Sequence, residues 1–260
     1  MDIGIPKEVA LLSPPSVSDG TMSVDEERRY RAFGCELICE CGIQLELPQV
    51  AVATAQVFFQ RFFHRCSFRD MDAHHVVMGA IFLAGKVEEC QMRMRPVISV
   101  CHAAMLRRQG LAITPIVLGG ETYTEWKMAL IRSERLILKE LGFQVYQGVS
   151  QEHAHKFLLY FVRVLNGDAP LAQRAWNFLN DSLRLDLCVR YSAEALACAA
   201  IFLAAKDLSF PLPESVPWYE VLGAKREVLD DICEAITSLY NSSDPIGWLP
   251  SKKIKRDAEI

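Results

Sequence analysis

Nearly the same seven-residue sequence occurs twice in this chain, 120 positions apart. AIFLAGK covers residues 80–86 and AIFLAAK covers residues 200–206, and the two copies differ only in Gly85 and Ala205. Six identical residues out of seven indicate an internal repeat, in which one structural unit occurs twice. Each copy lies in a stretch that is apolar on almost every side of a helix, and such a helix must be buried by neighbours all round. The repeat therefore predicts two similar helical bundles.

Segments with helical spacing surround both copies in the same order, five in each half of the chain. Ser23, with Glu26 three residues later, predicts the start of the first segment. Ser192 predicts the start of the second buried helix, and Gly142 predicts the end of the fifth segment. The ten segments lie within residues 23–41, 47–66, 71–89, 95–109, 121–143, 151–167, 169–186, 192–208, 217–224 and 226–241. We predict an all-α fold of two tandem five-helix bundles, each around a central buried helix.

The chain divides into four predicted regions. Residues 1–22 are rich in Ser and Pro without a sustained period, so we expect an extended leader that is ordered only by docking on the helical body or on a partner. Its removal is expected to leave thermal unfolding almost unchanged. The first bundle is predicted over residues 23–145, the second over residues 146–242, and a polar, basic tail over residues 243–260.

The composition is that of a folded protein without a strong overall charge. Hydrophobic residues make up 51% and charged residues 23% of the chain, which excludes general disorder. A formal net charge of −4 argues against binding nucleic acid mainly through total charge. Lys7 and Glu8 interrupt any apolar signal peptide, and the longest apolar run, residues 195–205, is shorter than the ~20 residues that cross a bilayer. We expect a soluble, intracellular protein.

No combination of side chains in the sequence predicts a catalytic or metal site. Cys35, Cys39 and Cys41 look like the start of a metal site, but no CxxC pair follows them, and residues two apart on a helix do not converge. The nine cysteines are therefore expected to be reduced, small apolar side chains. Neither a nucleophile–base pair nor a phosphate-binding loop is evident. The sequence predicts a binding protein without cofactor or metal, rather than an enzyme.

The repeat and its surroundings resemble the cyclin box and, among cyclins, the L-type members that are associated with transcription and splicing. The segment MGAIFLAGKVEE is similar to the third-helix motif of cyclins. Further similarity lies in residues 34–63, 176–213 and 217–233. The resemblance extends over roughly residues 8 to 241, nearly the whole of the predicted folded part.

The resemblance implies a non-catalytic regulatory subunit that forms a heterodimer with a cyclin-dependent kinase. Such a subunit presses the αC helix of the kinase into place and supports its activation segment, on which the Lys–Glu pair and Mg²⁺ site of the kinase depend. The resemblance also implies a nuclear protein that acts in transcription and pre-mRNA splicing, with splicing or transcription factors as further partners. Neither direct nucleic-acid binding nor membrane binding is expected.

Motif matching assigns seven residues to the kinase-binding surface. Lys86 and Glu134 match the Lys and Glu that face the kinase in cyclins, where their charges strengthen hydrogen bonds to the partner. The apolar centre is then expected from four residues and the rim from a fifth, namely Val87, Leu138, Phe143 and Val145, and Glu89. The alternative for Lys86 is a solvated lysine that favours the helix dipole. The alternative for Phe143 is a core residue that closes the first bundle.

The sequence departs from the cyclin pattern in two places. Cell-cycle cyclins carry a substrate-docking patch on their first helix, with a Leu and a Trp where this chain has Gly34 and Leu37. We therefore expect no docking of the usual substrate peptide there. Full-length L-type cyclins continue into an Arg/Ser-rich tail, which this sequence does not contain up to residue 260.

Two other functions are compatible with the same fold. A transcription factor IIB-like protein would use two cyclin-like repeats to bind DNA and RNA polymerase without a kinase. Such proteins usually begin with a Cys-rich zinc ribbon and have a basic DNA face, whereas residues 1–23 contain no cysteine and the net charge is negative. A scaffold that binds no kinase is the other possibility, and the presence of both Lys86 and Glu134 argues against it.

Overall fold

The computed structural model of the protein describes residues 14–145, 153–213 and 217–241. Within these residues the chain forms helices and no strand, so the predicted all-α class is confirmed. In chain order the helices are α1 (Pro15–Ser18), α2 (Val24–Gln44), α3 (Gln49–Phe63), α4 (Ala73–Val87), α5 (Met94–Arg108), α6 (Glu121–Glu140), α7 (Ala154–Val164), α8 (Ala169–Ser182), α9 (Leu187–Arg190), α10 (Ala193–Leu208), α11 (Trp218–Val221) and α12 (Arg226–Asn241).

The described helices form two compact units, and the first, α1 to α6, is built around α4. This helix packs against α2, α3, α5 and α6. Its side chains are buried along almost the whole length, and Val76, Met78 and Ile81 are inaccessible to solvent. The Ser23 hydroxyl accepts a hydrogen bond of 3.2 Å from the backbone N–H of Glu26, as the capping-box pattern predicts. The apolar side chains of the first repeat copy thus lie at the centre of the first bundle.

The second unit, α7 to α12, is built around α10, which carries the second copy of the repeat. It packs against α7, α8, α9 and α12, and Ala197 and Ile201 are inaccessible to solvent. The Ser192 hydroxyl accepts a hydrogen bond of 3.3 Å from the backbone N–H of Ala195 and starts this helix as predicted. The segment predicted as one helix over residues 169–186 ends earlier, and a separate turn, α9, follows it.

Close backbone approach and the hydrogen bonds of a buried arginine hold α2 against α3. A Cβ atom at Gly34 would lie only 2.0 Å from the ring of Phe59, so the aromatic ring occupies the space that a side chain would need. The guanidinium of Arg31 is fully buried, pairs with Glu27 and donates a hydrogen bond of 2.8 Å to Gln60 Oε1. Burial of this charge is tolerated because its hydrogen bonds are satisfied.

The leader predicted over residues 1–22 docks on the helical body, as expected, in the part that the structure describes from residue 14 on, but it is not extended there. Pro15–Ser18 form the short helix α1, because a proline at the first position has the backbone angle of a helix and needs no partner for its missing N–H. The hydroxyl of Ser16, a fully buried residue, accepts a hydrogen bond of 2.8 Å from the backbone N–H of Phe68. Met22 belongs to the hydrophobic core of the first unit. Removal of residues 1–22 would therefore open the core, contrary to the sequence-based expectation.

Three predicted regions lie wholly or partly outside the described residues: the tail (243–260), the start of the second bundle (146–152) and the start of the leader (1–13). All nine cysteines are described, and none forms a disulfide. Within the described ranges no group of three or more His, Cys, Asp and Glu side chains is arranged to hold a metal ion. None of the described helices has the length and apolar character needed to span a membrane.

Candidate functional site

Lys86 and Glu134 form an ion pair between α4 and α6. The Lys86 ammonium nitrogen lies 2.5 Å from Glu134 Oε1. The lysine side chain is 46% exposed and the glutamate side chain 14% exposed. The ammonium also lies 4.4 Å from the centre of the Phe82 ring, one helical turn earlier on α4, where the face of the ring attracts a cation. The pair thus places a positive charge at the surface next to a half-buried carboxylate.

Gly79 lets α4 and α6 approach closely enough for this pair to form. A Cβ atom at Gly79 would lie 2.5 Å from Ser133 Oγ and 2.9 Å from the backbone nitrogen of Glu134. Any larger residue would push the two helices apart, so the absence of a side chain is required here. The second bundle has Ala199 at the corresponding position of its repeat. The close contact that sets the position of Glu134 therefore belongs to the first bundle.

A tight turn after α4 fixes the acidic residues that follow the ion-paired lysine. The Thr54 hydroxyl on α3 donates a hydrogen bond of 2.6 Å to Glu88 Oε1. Glu89 is exposed and has a left-handed backbone, with φ 55°. The carbonyl oxygen of Cys90 then lies only 3.1 Å from the place of a Cβ atom at Gly85. Gly85, the position at which the two repeat copies differ, is therefore tightly packed against this turn.

The C-terminal end of α6 presents Phe143 to solvent. The helix ends in a Schellman motif, in which the N–H of Gly142 donates to the carbonyl of Lys139 at 3.0 Å and the N–H of Phe143 donates to the carbonyl of Leu138 at 2.8 Å. Phe143 has φ 60° and is 71% exposed. A left-handed backbone costs a residue with a Cβ atom roughly 1–2 kcal/mol. Packing within the unit does not explain an aromatic side chain that is both strained and exposed.

The seven residues assigned from the sequence lie in two segments, 86–89 and 134–145. The ion pair joins the segments, and Leu138 lies one turn after Glu134 on α6. The N–H of Val145 donates to the carbonyl of Phe143 at 3.1 Å, which extends the second segment beyond the helix. Three of the apolar residues, Val87, Leu138 and Val145, are partly buried against the core of the first unit. The arrangement combines an apolar surface with two opposite charges, which is suited to binding a protein partner.

The two alternatives derived from the sequence have different outcomes. The interpretation of Phe143 as a core residue is wrong, because the side chain is mostly exposed and the motif that ends α6 turns it away from the bundle. Lys86 does lie in the last turn of α4 and is half exposed, but it is ion-paired rather than only solvated. The role of the seven residues in binding a kinase stays a prediction.

Sequence reasoning missed three contributions to this surface. Phe82 lies beneath the ammonium of the ion-paired lysine, and its position four residues earlier in the repeat could have indicated this contact. Ile131 is exposed and lies three residues before Glu134, on the same face of α6. The bond from Thr54 to Glu88 joins residues that are far apart in the chain, and no sequence signal indicates it.

The second copy of the repeat has a different environment around its lysine. Lys206 is exposed and forms neither a hydrogen bond nor an ion pair within the part of the chain that the structure describes. Phe202 corresponds to Phe82 of the first copy. The cation over its ring is Arg226 from α12, whose guanidinium carbon lies 5.1 Å from the ring centre. The arrangement of lysine, glutamate and aromatic ring is thus specific to the first unit.

Comparison with known proteins gives a consistent set of relatives. The family model described as "Cyclin, N-terminal domain" matches residues 7–146. The chain is 45% identical over 228 residues to Cyclin-L2 of Mus musculus, covering 87% of this chain and 43% of that protein. It is 43% identical over 235 residues to Cyclin-L1 of Gallus gallus, covering 90% of this chain and 43% of that protein. The chain therefore spans less than half of the length of these relatives.

Among solved structures, the fold is similar to that of a chain in the crystal structure of the yeast RNA Pol II CTD kinase CTDK-1 complex. The TM-score is 0.71 at 17% sequence identity, and the match covers 85% of this chain and 68% of the other. Identity at this level supports the fold.

Proposed function

This chain belongs to the cyclin family and is similar to its L-type members, and from that premise we propose that it is a non-catalytic regulatory subunit that binds and activates a cyclin-dependent kinase. We further propose that the kinase is a serine/threonine kinase acting in transcription and pre-mRNA splicing, with splicing or transcription factors as additional partners in the nucleus. The resemblance to L-type cyclins supports this finer assignment.

The proposed kinase-binding surface consists of the residues assigned from the sequence, Lys86, Val87, Glu89, Glu134, Leu138, Phe143 and Val145. Phe143 enters an apolar pocket of the partner, while Leu138 and Val145 exclude water around it. The opposite charges of the ion pair form charge-assisted hydrogen bonds to backbone and side-chain groups of the kinase. Contact on this surface fixes the αC helix of the kinase, and the Lys–Glu pair and Mg²⁺ site needed for phosphoryl transfer are thereby completed.

The observation that carries this proposal is the strained, exposed conformation of Phe143. A side chain that is 71% exposed contributes little to folding of the isolated chain, yet its backbone angle is costly. Burial of such an aromatic side chain in a complex contributes about 1.5–3 kcal/mol through the area removed from water. The conformation is thus accounted for by a partner that covers Phe143.

The proposal is tested by replacing Phe143 with Ala and measuring affinity for the kinase. The kinase is first identified by mass spectrometry of proteins that co-purify with this chain from nuclear extract. Loss of a central aromatic anchor costs about 2 kcal/mol or more, so we expect the Kd to rise at least ~30-fold. The matched control is Ile43→Ala, which removes another exposed apolar side chain of the first unit, at the end of α2. This control should change the Kd less than about twofold.

The possible results of this experiment test the proposed kinase-binding surface separately from the proposed role as a kinase regulator. Equal affinities of wild type and Phe143→Ala would show that the kinase binds elsewhere. Recovery of RNA polymerase or promoter DNA without any kinase would support the transcription factor IIB-like alternative. The identities of 45% and 43% to L-type cyclins favour the kinase regulator over that alternative.

A further inference from the structure

The loop between α5 and α6 is an exposed apolar segment without any charge. From Gly110 to Gly120 the sequence is GLAITPIVLGG. Residues 111–117 form neither helix nor strand. Leu111 and Ile113 on one side of Thr114, and Val117 and Leu118 on the other, are all exposed. Contiguous exposed apolar side chains at a surface indicate a functional role, because packing gains nothing from them.

Thr114 lies at the centre of this loop, two residues before Ile116, which packs against the core of the first unit. Thr114 itself is exposed, and neither its hydroxyl nor its backbone forms a hydrogen bond within the described ranges. Two other threonines of the first unit are engaged: the Thr54 hydroxyl donates to Glu88, and the Thr124 hydroxyl donates to the carbonyl of Gly120 at the start of α6. The Thr114 hydroxyl is therefore available to an external enzyme without any bond being broken.

Pro115 gives Thr114 a backbone conformation that suits the cleft of a kinase, with the Thr114 hydroxyl as the phosphate acceptor. A residue before proline is restricted to extended conformations, and proline itself offers no N–H. A kinase must align the acceptor oxygen with the γ-phosphate, so the acceptor has to leave the protein surface. The backbone hydrogen bonds of this loop lie at its two ends, at Leu111 and Gly120, so the acceptor at its centre can leave the surface at low cost, whereas a threonine inside a helix requires local unfolding. The enzyme must also accept a residue without N–H directly after the acceptor.

We propose that Thr114 is a phosphorylation site for a proline-directed serine/threonine kinase. In the reaction, the Thr114 hydroxyl oxygen forms a bond to the γ-phosphorus of ATP while the bond from that phosphorus to the β–γ bridging oxygen breaks. ADP leaves, and the hydroxyl proton passes to the catalytic base of the kinase. The product carries a charge of about −1.5 to −2 in a segment that has none. Phosphorylation thereby converts an apolar surface into a strongly anionic one.

The inference does not rest on the proposed function. The loop precedes α6, whereas Phe143 follows it, and a helix of 20 residues is roughly 30 Å long. Phosphorylation of Thr114 therefore adds charge at the opposite end of α6 from the exposed aromatic residue. The two sites can be tested separately in the same protein.

The test is to phosphorylate the full chain with a purified proline-directed kinase and ATP and to locate the phosphate by tandem mass spectrometry. The sequence contains one other Ser/Thr–Pro pair, at Ser13 and Pro14, so the experiment uses a Ser13→Ala background. We expect one phosphate per chain on Thr114. Thr114→Ala should remove it, Thr114→Ser should retain it, and Pro115→Ala should lower kcat/KM at least tenfold.

The matched control is Thr122→Ala, since Thr122 is also exposed but lies in the first turn of α6 and is not followed by proline. This variant should be phosphorylated at Thr114 at the wild-type rate. Circular dichroism of each variant shows whether it is folded. Absence of phosphate on Thr114 in folded protein, or incorporation into Thr114→Ala equal to that of its parent, would overturn the proposal. An unchanged rate for Pro115→Ala would exclude the proline-directed class of enzyme.

Discussion

Lys86 and Lys206 end the two copies of the repeat, but among the described residues Lys86 has an acidic partner and Lys206 does not. We predict that Lys86→Glu abolishes activation of the kinase. The substitution removes charge-assisted hydrogen bonds and places a like charge beside the half-buried Glu134, at a cost of about 2–5 kcal/mol at a desolvated contact. Lys206→Glu should leave activation within a few-fold of wild type. Activity is measured as phosphate transfer by the kinase at saturating concentration of each variant.

A charge swap separates binding from folding in this experiment. Lys86 is half exposed, so its ion pair contributes at most about 1 kcal/mol to stability. The double variant Lys86→Glu with Glu134→Lys restores an ion pair within the chain but presents the opposite charges to the kinase. It should be folded and inactive. If the swap restored activation, or if the two lysine substitutions weakened it equally, the assignment of roles would be wrong.

Motifs predicted the charged residues of the surface better than they predicted the conformation of Phe143. Lys86 and Glu134 were assigned to the surface from the resemblance, whereas their contact with each other is seen only in the structure. The exposure of Phe143 depends on two successive left-handed residues after α6. Propensity disfavours that conformation for Phe, so a sequence-based argument leaves the core interpretation open. Whether Phe143 is buried or exposed depends on tertiary contacts that the sequence does not reveal.

At the scale of the helices, the close contact of α4 with α6 can be tested at Gly79. Gly79→Ala adds a Cβ atom 2.9 Å from the backbone nitrogen of Glu134, which cannot move aside alone. Overpacking costs about 1–3 kcal/mol, against a gain of up to ~1 kcal/mol in helix propensity. We expect the free energy of unfolding to fall by about 1–2 kcal/mol, measured by urea denaturation.

The neighbouring hydroxyl provides the control for this prediction. Adding Ser133→Ala to Gly79→Ala removes the contact at 2.5 Å but leaves those at 2.9 Å to the Glu134 backbone nitrogen and to the Cβ atom of residue 133. The double variant should recover only part of the lost stability. A Gly79→Ala protein as stable as wild type would show that α6 can shift away without cost.

Helix caps and periodicity predicted most elements, and the exceptions have a physical reason. The starts at Ser23 and Ser192 and the end near Gly142 follow from side-chain and backbone chemistry within a few residues. The helix α1 was not predicted, because it is stabilised by the contact of Ser16 with Phe68, which is remote in sequence. The same holds for α9, a single turn without a helical period of its own.

For the molecule as a whole, the structure predicts loss of stability in acid through His155. Burial lowers the pKa of this imidazole to about 4, and its hydrogen bond of 2.8 Å to Asn180 offsets the effect only in part. The folded protein therefore binds fewer protons than the unfolded chain, whose His has a pKa near ~6.5. The unfolding free energy should fall as the pH decreases from about 6.5 to 4, by on the order of 3 kcal/mol from this group.

Denaturant unfolding of wild type and His155→Gln from pH 8 to pH 4 checks this prediction. The variant lacks the titrating group, so its curve should be flatter by up to ~1.4 kcal/mol per pH unit below pH 6.5. Between pH 7 and pH 8 the curves should be parallel, because the imidazole is neutral in both folded and unfolded chains. Parallel curves over the whole range would mean that the pKa of His155 is the same in the folded and unfolded chains.

Phe82 and Phe202 occupy the same position of the repeat but are contacted by cations from different parts of the fold. In the first copy the cation over the ring is the helix's own Lys86, and in the second it is Arg226 from another helix. The aromatic ring of the first copy is therefore contacted from within its own helix, whereas that of the second copy connects two helices. Nearly the same seven-residue sequence thus supports a surface charge in one unit and a link between helices in the other.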